Sequence, residues 1–507
     1  MDYALKSQRV KTSKEIFDTV TEQQVDLDFT LPDYCADIEK ILKCFMDVRI
    51  YNRNLSGGIL TAEGASIVRV LYCDSNKSAL RICEQTVPFS ASFPLSDVSP
   101  EFVVFADAKP EYINCRALTP RRLTIHGAFS LHLRVDSSCS RDLFCEGASD
   151  NLQLLTKEIS LWEVSDFCQT QFSLCETVPM GVKTNVESIV RSDAVATVVD
   201  FTHQGDKVIL KGELTLRMLY ICDSKTGESD RFVYVMPFTQ ILDKSDSGME
   251  VTDIFLSVMT YDLKLKAEAV TGETSVSVDA KMCASLIGYK NTQSSYVSDA
   301  YSTCDETLCE YGQAAVCTEV HPLSFQTMAK STISLGDEKI SRIVDIFCES
   351  ASVSPKLKED EVEFFSKANI CILAYTEDGE LVCMDRAVDI NASKPVDKHF
   401  NTLKRPKVCI SSMSYRIGDS NDMELRTEVR FSAVLKNEVK LSQVTSINIL
   451  EESCASKSCP VTLYYAKEGE MVWDIAKSFK ADVGTLTADN SLSEEIIDSP
   501  KMLVVCR

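Results

Sequence analysis

The stretch Gly212–Asp223, GELTLRMLYICD, alternates between apolar and polar side chains over most of its length. Its apolar positions, each two residues from the next, are Leu214, Leu216, Met218 and Tyr220. Because successive side chains of a strand point to opposite faces, this pattern predicts a β-strand with one buried and one solvated face. Similar strands end at Tyr72 and at Tyr375. One type of strand therefore occurs three times, and the rest of the chain is arranged around it.

A short apolar pattern precedes each of these strands at a nearly constant distance. The interval from the pattern to the tyrosine is 30, 30 and 31 residues, counted from Leu42, Val190 and Val344. Equal intervals in unrelated stretches indicate an internal repeat. In the first case the apolar residues are three or four positions apart, at Ile38, Ile41, Leu42 and Phe45. This helical spacing predicts a short helix before each strand.

A second alternating run closes each repeat, at residues 122–135, 276–286 and 425–435. Two sets of long strands in each repeat predict a mainly β fold with accessory helices. We expect three repeated domains of the β-sandwich or barrel type at residues 1–150, 151–310 and 311–450. The small polar stretch 451–460, which ends in proline, predicts a linker to a separate unit at residues 461–507.

The last 47 residues predict the order strand, helix, helix, strand. A β-prone run at Val461–Tyr465 is followed by a turn at 468–470, and a second run at Met502–Val505 closes the unit. The stripe of the first helix consists of Val472, Ile475, Ala476 and Phe479. Asp482 is the expected N-cap of the second helix, and Asn490 is expected to end that helix in the left-handed conformation.

This C-terminal unit resembles a LysM module. The residues that carry the resemblance are Tyr465-Ala466, Gly469, Trp473–Ala476, Leu486, Asn490 and Leu503–Val505. Glycan-binding modules of this family usually have Gly-Asp-Thr/Ser-Leu in the first turn, where this chain has Gly-Glu-Met-Val at 469–472. The usual Pro-Gly before the last strand is Pro-Lys at 500–501. Because both changes lie in the sugar-binding loops, the resemblance implies a LysM fold that binds protein.

The repeats resemble the SPOCS domains of spore-coat-associated proteins. The stretches that carry this resemblance are Leu31–Cys44, Gly64–Asp74 and Gly212–Asp223. Repeats of this kind followed by one LysM module resemble the SipL-like family of spore morphogenetic proteins. The resemblance implies a scaffold of the spore coat that docks the ATPase of the coat basement layer, a SpoIVA-like protein, through the LysM module. It also implies a location in the mother-cell cytoplasm, at the forespore surface, with other coat proteins bound by the repeats.

Charge and cysteine content agree with that location. The chain has 53 basic and 75 acidic side chains and a formal net charge of −22, which disfavours nucleic acid and anionic membranes as partners. We find no basic-then-apolar leader and no apolar run of the ~20 residues that a membrane span needs. The 21 cysteines form no CxxC pair or zinc-type spacing. They are therefore expected to be reduced thiols in a cytosol.

Residue patterns that carry chemistry are scarce. The chain lacks the phosphate-loop, dinucleotide, serine-nucleophile and HExxH motifs. His126 and His132 share one strand face but lie ~20 Å apart at ~3.3 Å per residue, too far for one metal ion. The acidic residues Asp33, Asp37 and Glu39 are explained either by a cation site or, more simply, by charges at the end of a helix. We therefore predict a protein that is not an enzyme and has no cofactor or metal.

The candidate partner-binding site lies in the C-terminal unit. It comprises the first turn, the exposed side of the first helix and the end of the second helix, at Glu468, Gly469, Glu470, Met471, Trp473, Lys477 and Asn490. Trp473 lies about 100° from the start of the apolar stripe, so it is either an interface anchor or a cover for the flank of a small domain. The alternative hypothesis is a cell-wall protein whose LysM module binds peptidoglycan or another glycan, which requires export.

Overall fold

A computed structural model describes most of the chain. The described residues are 2–74, 80–96, 98–147, 149, 151–181, 186–223, 228–244, 248–267, 273–336, 339–418, 422–451 and 461–506. The predicted linker at 451–460 lies outside them except for Glu451, the last residue of a strand.

After the short strand β1 (Asp2–Tyr3), six strands form a first group of two three-stranded sheets. These strands are β2 (Leu5–Thr30), β3 (Lys40–Ser56), β4 (Ile59–Cys73), β5 (Leu80–Pro94), β6 (Phe102–Thr119) and β7 (Arg122–Gly147). One sheet has the order β2-β7-β6 and the other the order β3-β4-β5, and all pairs are antiparallel. Buried side chains from both sheets, such as Leu60, Val70, Leu123 and Phe129, form a common core.

A second and a third group repeat this connectivity. The second group consists of β8 (Leu152–Pro179), β9 (Ser188–Gln204), β10 (Lys207–Asp223), β11 (Glu228–Asp243), β12 (Val251–Ala267) and β13 (Thr274–Ser302). The third consists of β14 (Glu306–Ser334), β15 (Ile340–Leu357), β16 (Glu361–Thr376), β17 (Leu381–Pro395), β18 (Thr402–Ile417) and β19 (Asp422–Glu451). In each group the first strand pairs with the sixth, the sixth pairs with the fifth, and the middle three form a meander.

The tyrosine strands are where the sequence places them. Tyr72, Tyr220 and Tyr375 lie near the ends of β4, β10 and β16, the central strands of the three meanders. Tyr72 and Tyr220 are buried, as the alternation predicts. The predicted solvated face is wrong at these strand ends, because Leu71 and Leu219 on the opposite face are buried in a cluster shared by the three groups. The prediction of a mainly β fold with accessory helices is confirmed, and the two described helices, α1 (Val472–Phe479) and α2 (Val483–Asp489), both lie in the C-terminal unit.

The helices predicted inside the repeats are wrong, because these segments belong to β3, β9 and β15. Each strand has a β-bulge at the position from which the repeat interval was counted. The bulged residues are Leu42, Val190 and Val344, each skipped in the pairing with the neighbouring strand. A bulge adds one residue to a strand and so interrupts the two-residue alternation. The helical spacing of the apolar residues is therefore the trace of a bulged strand.

The bulges also bring the three groups together. They turn apolar side chains toward a cluster with buried members from every group, which are Phe45, Leu71, Cys73, Leu80, Val190, Leu219, Ile221, Val344, Leu373 and Leu381. A second shared cluster lies between the long ribbons β2/β7, β8/β13 and β14/β19 and includes Val10, Leu161 and Val316. The three groups are thus packed against one another at two levels.

Arg405 joins all three groups through one side chain. It lies at a register shift of β18 and has φ 51°, a left-handed conformation that is rare outside glycine. Its guanidinium donates to Asp136 of β7 at 3.2 Å and to Asp253 of β12, and it lies 4.8 Å from the ring centroid of Phe105. Such a conformation persists only where the surroundings fix it. Here the surroundings are a buried ionic contact between the groups, which we call the Arg405 junction.

Candidate functional site

The C-terminal module, residues 461–506, has the predicted strand, helix, helix, strand order. Its two strands, β20 (Val461–Ala466) and β21 (Lys501–Cys506), pair in antiparallel fashion. Asp482 caps α2, as predicted, by accepting a hydrogen bond from the Thr485 amide at 2.7 Å. Leu486 lies in the module core with Ala466 and Ile475.

Asn490 does not end α2 in the left-handed conformation. It has φ −105°, and the following residue, Ser491, has φ 51° instead. The Asn490 amide group donates to the carbonyls of Leu486 and Val504 at 2.9 and 2.7 Å, and its oxygen accepts from the Val504 amide at 2.6 Å. Its side chain therefore attaches α2 to β21, and the structure gives it an internal structural role.

The first turn is closed by its own side chains and by the loop that precedes β21. Gly469 has φ 88°, which explains the glycine, and its amide donates to the Ile497 carbonyl at 2.8 Å. The Glu470 carboxylate turns back to accept from the Lys467 amide at 3.1 Å and from the Tyr464 hydroxyl at 3.2 Å. The carboxylate of Glu470, one of the predicted site residues, therefore makes its hydrogen bonds within the turn.

Met471 forms an apolar ridge with a residue that the sequence did not single out. It is bridged to Ile496 across the two loops, and the side chains are 41% and 49% exposed. Ile496 lies between the second predicted helix and the last predicted strand. Sequence reasoning missed it because the apolar residues of this stretch show no periodicity. The ridge is the exposed apolar part of the predicted turn site, and the exposed residues Glu468 and Gly469 lie beside it.

Trp473 and Lys477 contact the second strand group. The Trp473 indole is only 8% exposed, and its Nε1 donates to the Asp299 carboxylate of β13 at 2.8 Å. The Lys477 ammonium lies 2.7 Å from the same carboxylate. The ring of Tyr301, also on β13, meets the indole edge-on with 5.0 Å between centroids. Trp473 is thus an anchor, but the surface that it binds belongs to the same chain.

Further contacts complete this intramolecular interface, which we call the docking contact. The Tyr301 hydroxyl donates to the Ala481 carbonyl at 2.7 Å. The Gln153 amide on β8 donates to Asp482 at 2.8 Å and accepts from the Val483 amide at 3.3 Å, so it clamps the start of α2. Both helices of the module are therefore held by the β8/β13 ribbon.

The electrostatics of the docking contact centre on Asp299. Burial opposes ionisation of this carboxyl, but the hydrogen bonds from Lys477, Trp473 and Tyr311 together outweigh the effect of burial. As a result, the pKa of Asp299 is lowered below its usual value. Burial and the neighbouring carboxylates raise the pKa of Tyr301, so its hydroxyl remains a donor near neutral pH.

The other charged candidates from the sequence have simple partners. His126 pairs with Asp26 at 2.7 Å and His132 pairs with Asp18 at 2.6 Å, each across neighbouring strands. The predicted helix after Leu31 is absent, so the acidic residues there have no helix end to complement. Arg121 binds Asp37 at 2.6 Å instead.

Among the described residues, one group has the chemistry of a metal site: Cys371, Cys383 and Asp385. The two sulfur atoms are 3.1 Å apart, but the carboxylate is held by the Lys43 ammonium at 2.8 Å. A cation at that position competes with a metal ion for the same oxygen atoms. All 19 cysteines in the described ranges are free thiols.

Comparison with known proteins gives one family match. Residues 37–118, which span β3 to β6 of the first group, match the family model described as SipL, SPOCS domain. This match supports a SipL-like chain and indicates a sporulation-related protein. No curated protein and no solved structure matches the chain. Neither described helix has the length and apolar character that crossing a membrane requires.

Proposed function

We propose that this protein is a non-enzymatic scaffold of spore coat assembly. The SPOCS match in the first strand group supports a role in sporulation. The second and third groups have the same connectivity as the first, which supports three SPOCS-type domains at about residues 1–150, 151–310 and 311–450. In this proposal the domains offer surfaces to other coat proteins, and the chain acts in the mother-cell cytoplasm at the forespore surface.

The C-terminal module is proposed to be a LysM fold that docks a SpoIVA-like ATPase of the coat basement layer. Its strand and helix order supports the fold, and the altered turn at 469–472 argues against a glycan ligand. Since Trp473 and Lys477 are committed to the docking contact, we place the partner surface at the ridge of Met471 and Ile496. The single observation that carries this placement is the exposure of both apolar side chains beside the first turn.

The test measures binding of the purified coat ATPase to the full chain. Met471→Glu combined with Ile496→Glu is expected to lower affinity at least ~10-fold, because charge replaces the apolar contact at the centre of the surface. Met328→Glu is the matched control, since Met328 is 62% exposed on β14, far from the module in sequence. It is expected to leave affinity unchanged.

The same set of proteins tests the rival hypothesis. Purified peptidoglycan is expected to retain neither the wild-type chain nor either variant. Retention on peptidoglycan without binding to the ATPase would refute the scaffold proposal and favour a glycan-binding protein. ATPase binding that both glutamates leave intact would keep the scaffold proposal but remove the ridge as its surface.

A further inference from the structure

A cleft of about 600 Å³ lies between the second and third strand groups. Its walls come from β9 and β12 on one side and from β14, β18 and β19 on the other. The apolar residues of the lining include Val198, Ile254, Phe255, Leu323, Phe325 and Val434. The volume lies within the range of small-molecule sites, which are mostly apolar with a few well-placed polar groups.

Two cations from adjacent strands lie in this apolar setting. Lys407 on β18 pairs with Ser432 of β19, and Arg430 pairs with Cys409, so the cations are diagonal neighbours on one face of the sheet. Diagonal cross-strand neighbours are ~7–8 Å apart, close enough for one head group to touch both. The geometry thus places two positive charges on one wall of the cleft.

Both cations have only weak or neutral partners among the described residues. The Lys407 ammonium is 3.4 Å from the Leu256 carbonyl and lies over the Phe255 ring at 4.3 Å. The Arg430 guanidinium donates to the Val198 carbonyl and to the Gln326 side chain, while its Nε is buried without an acceptor. A buried donor without a partner is costly, so Arg430 is under-satisfied here.

The acidic residues that line the cleft are otherwise engaged. Asp253 belongs to the Arg405 junction. Asp200 accepts from the Phe201 amide at 2.8 Å, and Glu250 accepts from the Asn291 amide at 3.3 Å. The carboxylates thus have hydrogen-bond donors of their own, whereas the acceptors of Lys407 and Arg430 within the described residues are neutral carbonyl and amide oxygens.

We propose that this cleft is a binding site for a small amphipathic anion. An apolar body would pack against the aromatic and aliphatic walls, and one sulfonate, carboxylate or phosphate head group would lie between Lys407 and Arg430. Hydrogen bonds from these cations to an anionic head group, in which donor and acceptor are both charged, are stronger than their present bonds to neutral oxygens. This site is separate from the C-terminal module and does not depend on the proposed coat function.

The experiment compares two fluorescent probes of similar shape on the full chain. Anilinonaphthalene sulfonate carries an anionic group, and phenylnaphthylamine is its uncharged relative. Leu463→Glu serves as the background for all measurements, because Leu463 is 66% exposed on β20 and belongs to an apolar strand face that would bind either probe. The cleft is expected to bind the sulfonate at one site per chain, and added salt is expected to weaken that binding more than it weakens binding of the neutral probe.

Substitution of one cation gives the decisive comparison. Lys407→Met, which keeps an unbranched apolar chain over Phe255, is expected to lower sulfonate affinity at least ~10-fold with little effect on the neutral probe. Lys407→Arg is expected to restore the affinity. Lys398→Met, which removes a cation paired with Glu319 outside the cleft lining, is the control.

Two results for Lys407→Met would overturn the proposal. One is unchanged sulfonate affinity in Lys407→Met, and the other is an equal loss of both probes, which would show an apolar surface without anion selectivity. If Lys407→Met does not fold, as judged by circular dichroism, Arg430→Lys and the salt dependence of the background protein decide the question. Salt-independent binding of the sulfonate would also contradict the proposal.

Discussion

Two ionic contacts join separate parts of this chain, and they differ in how much water reaches them. In the Arg405 junction the side chains of Arg405, Asp136 and Asp253 are 10%, 6% and 14% exposed. In the docking contact Lys477 is 39% exposed and Asp299 is 19% exposed. Removing one partner of a buried pair leaves the other charge unpaired and away from solvent, whereas water can reach a partly exposed ion once its partner is lost. The junction should therefore lock the three groups together, and the docking contact should be releasable.

The largest expected effect follows from removal of the buried cation. Arg405→Met leaves Asp253 without its ionic partner, although Asp136 keeps Arg134 at 3.1 Å. We expect a loss of about 3–5 kcal/mol in the free energy of unfolding of the packed groups, measured by denaturant titration. Adding Asp253→Asn should recover part of this loss, because it also removes the unpaired negative charge of Asp253.

Arg122→Met is the control for that measurement. Its ion pair with Asp28 is short at 2.6 Å, but both side chains are about half exposed. The expected cost is far smaller than at Arg405, because solvent screens an exposed ion pair. Equal costs at Arg405 and Arg122 would contradict the view that burial distinguishes the junction.

A smaller effect is expected when the charge of the docking contact is removed. Asp299→Asn keeps an acceptor for the Trp473 indole but loses the charge-assisted bonds to Lys477 and Tyr311. We expect docking to weaken by about 1.5 kcal/mol, at the low end for charged hydrogen bonds because the site is partly solvated. Hydrogen–deuterium exchange should rise in α1 and α2, while exchange in the three strand groups stays unchanged. Faster exchange throughout the chain would show that the two contacts are not independent.

The pH dependence of docking sharpens the same comparison. The pKa of Asp299 is lowered in the docked state, so its contribution is fully present above its usual pKa of 3.8 and is lost as pH falls through the lower, docked value. The pKa of Asp482 is also lowered, first by the Thr485 amide hydrogen bond, which lies within the module. A further lowering comes from the Gln153 hydrogen bond, which crosses the docking contact and therefore acts on docking in the same direction as Asp299. Exchange in α1, once corrected for the intrinsic pH dependence of amide exchange, should therefore be constant from neutral pH down to about 4 and rise below it. In Asp299→Asn this acid-induced rise should be reduced but not abolished, because Asp482 remains.

The sequence was sufficient for features that depend on neighbours along the chain. The alternation that ends at Tyr72 or Tyr220 predicts the strand itself, but it does not show that the opposite face is buried as well, against the other strand groups. The N-cap at Asp482 is likewise a contact over three residues. The helix predicted around Leu42 failed for a local reason, since a bulged strand and one helical turn space their apolar residues alike over so short a stretch.

Features that depend on distant segments were beyond the sequence. The sequence leaves Trp473 open between an interface anchor and a cover for the flank of the module, and nothing near it in the chain indicates its contact with Asp299. Asp299 itself looks like an ordinary polar residue of a long strand, and its role arises because the β8/β13 ribbon extends beyond its own sandwich. The left-handed Arg405 is similar, because it is explained only by carboxylates from two other strand groups.

The smallest expected effect concerns the cation of the docking contact. Lys477→Met removes the charge but leaves the Trp473–Asp299 hydrogen bond and the Tyr301 contacts in place. Because the Lys477 side chain is 39% exposed, its pair with Asp299 should be worth about 0.5 kcal/mol of docking free energy. In the wild type, exchange in α1 should rise modestly as salt is increased, and Lys477→Met should abolish that salt dependence. A loss as large as that of Asp299→Asn would mean that the ammonium is desolvated like Arg405, and the two contacts would then be of one kind.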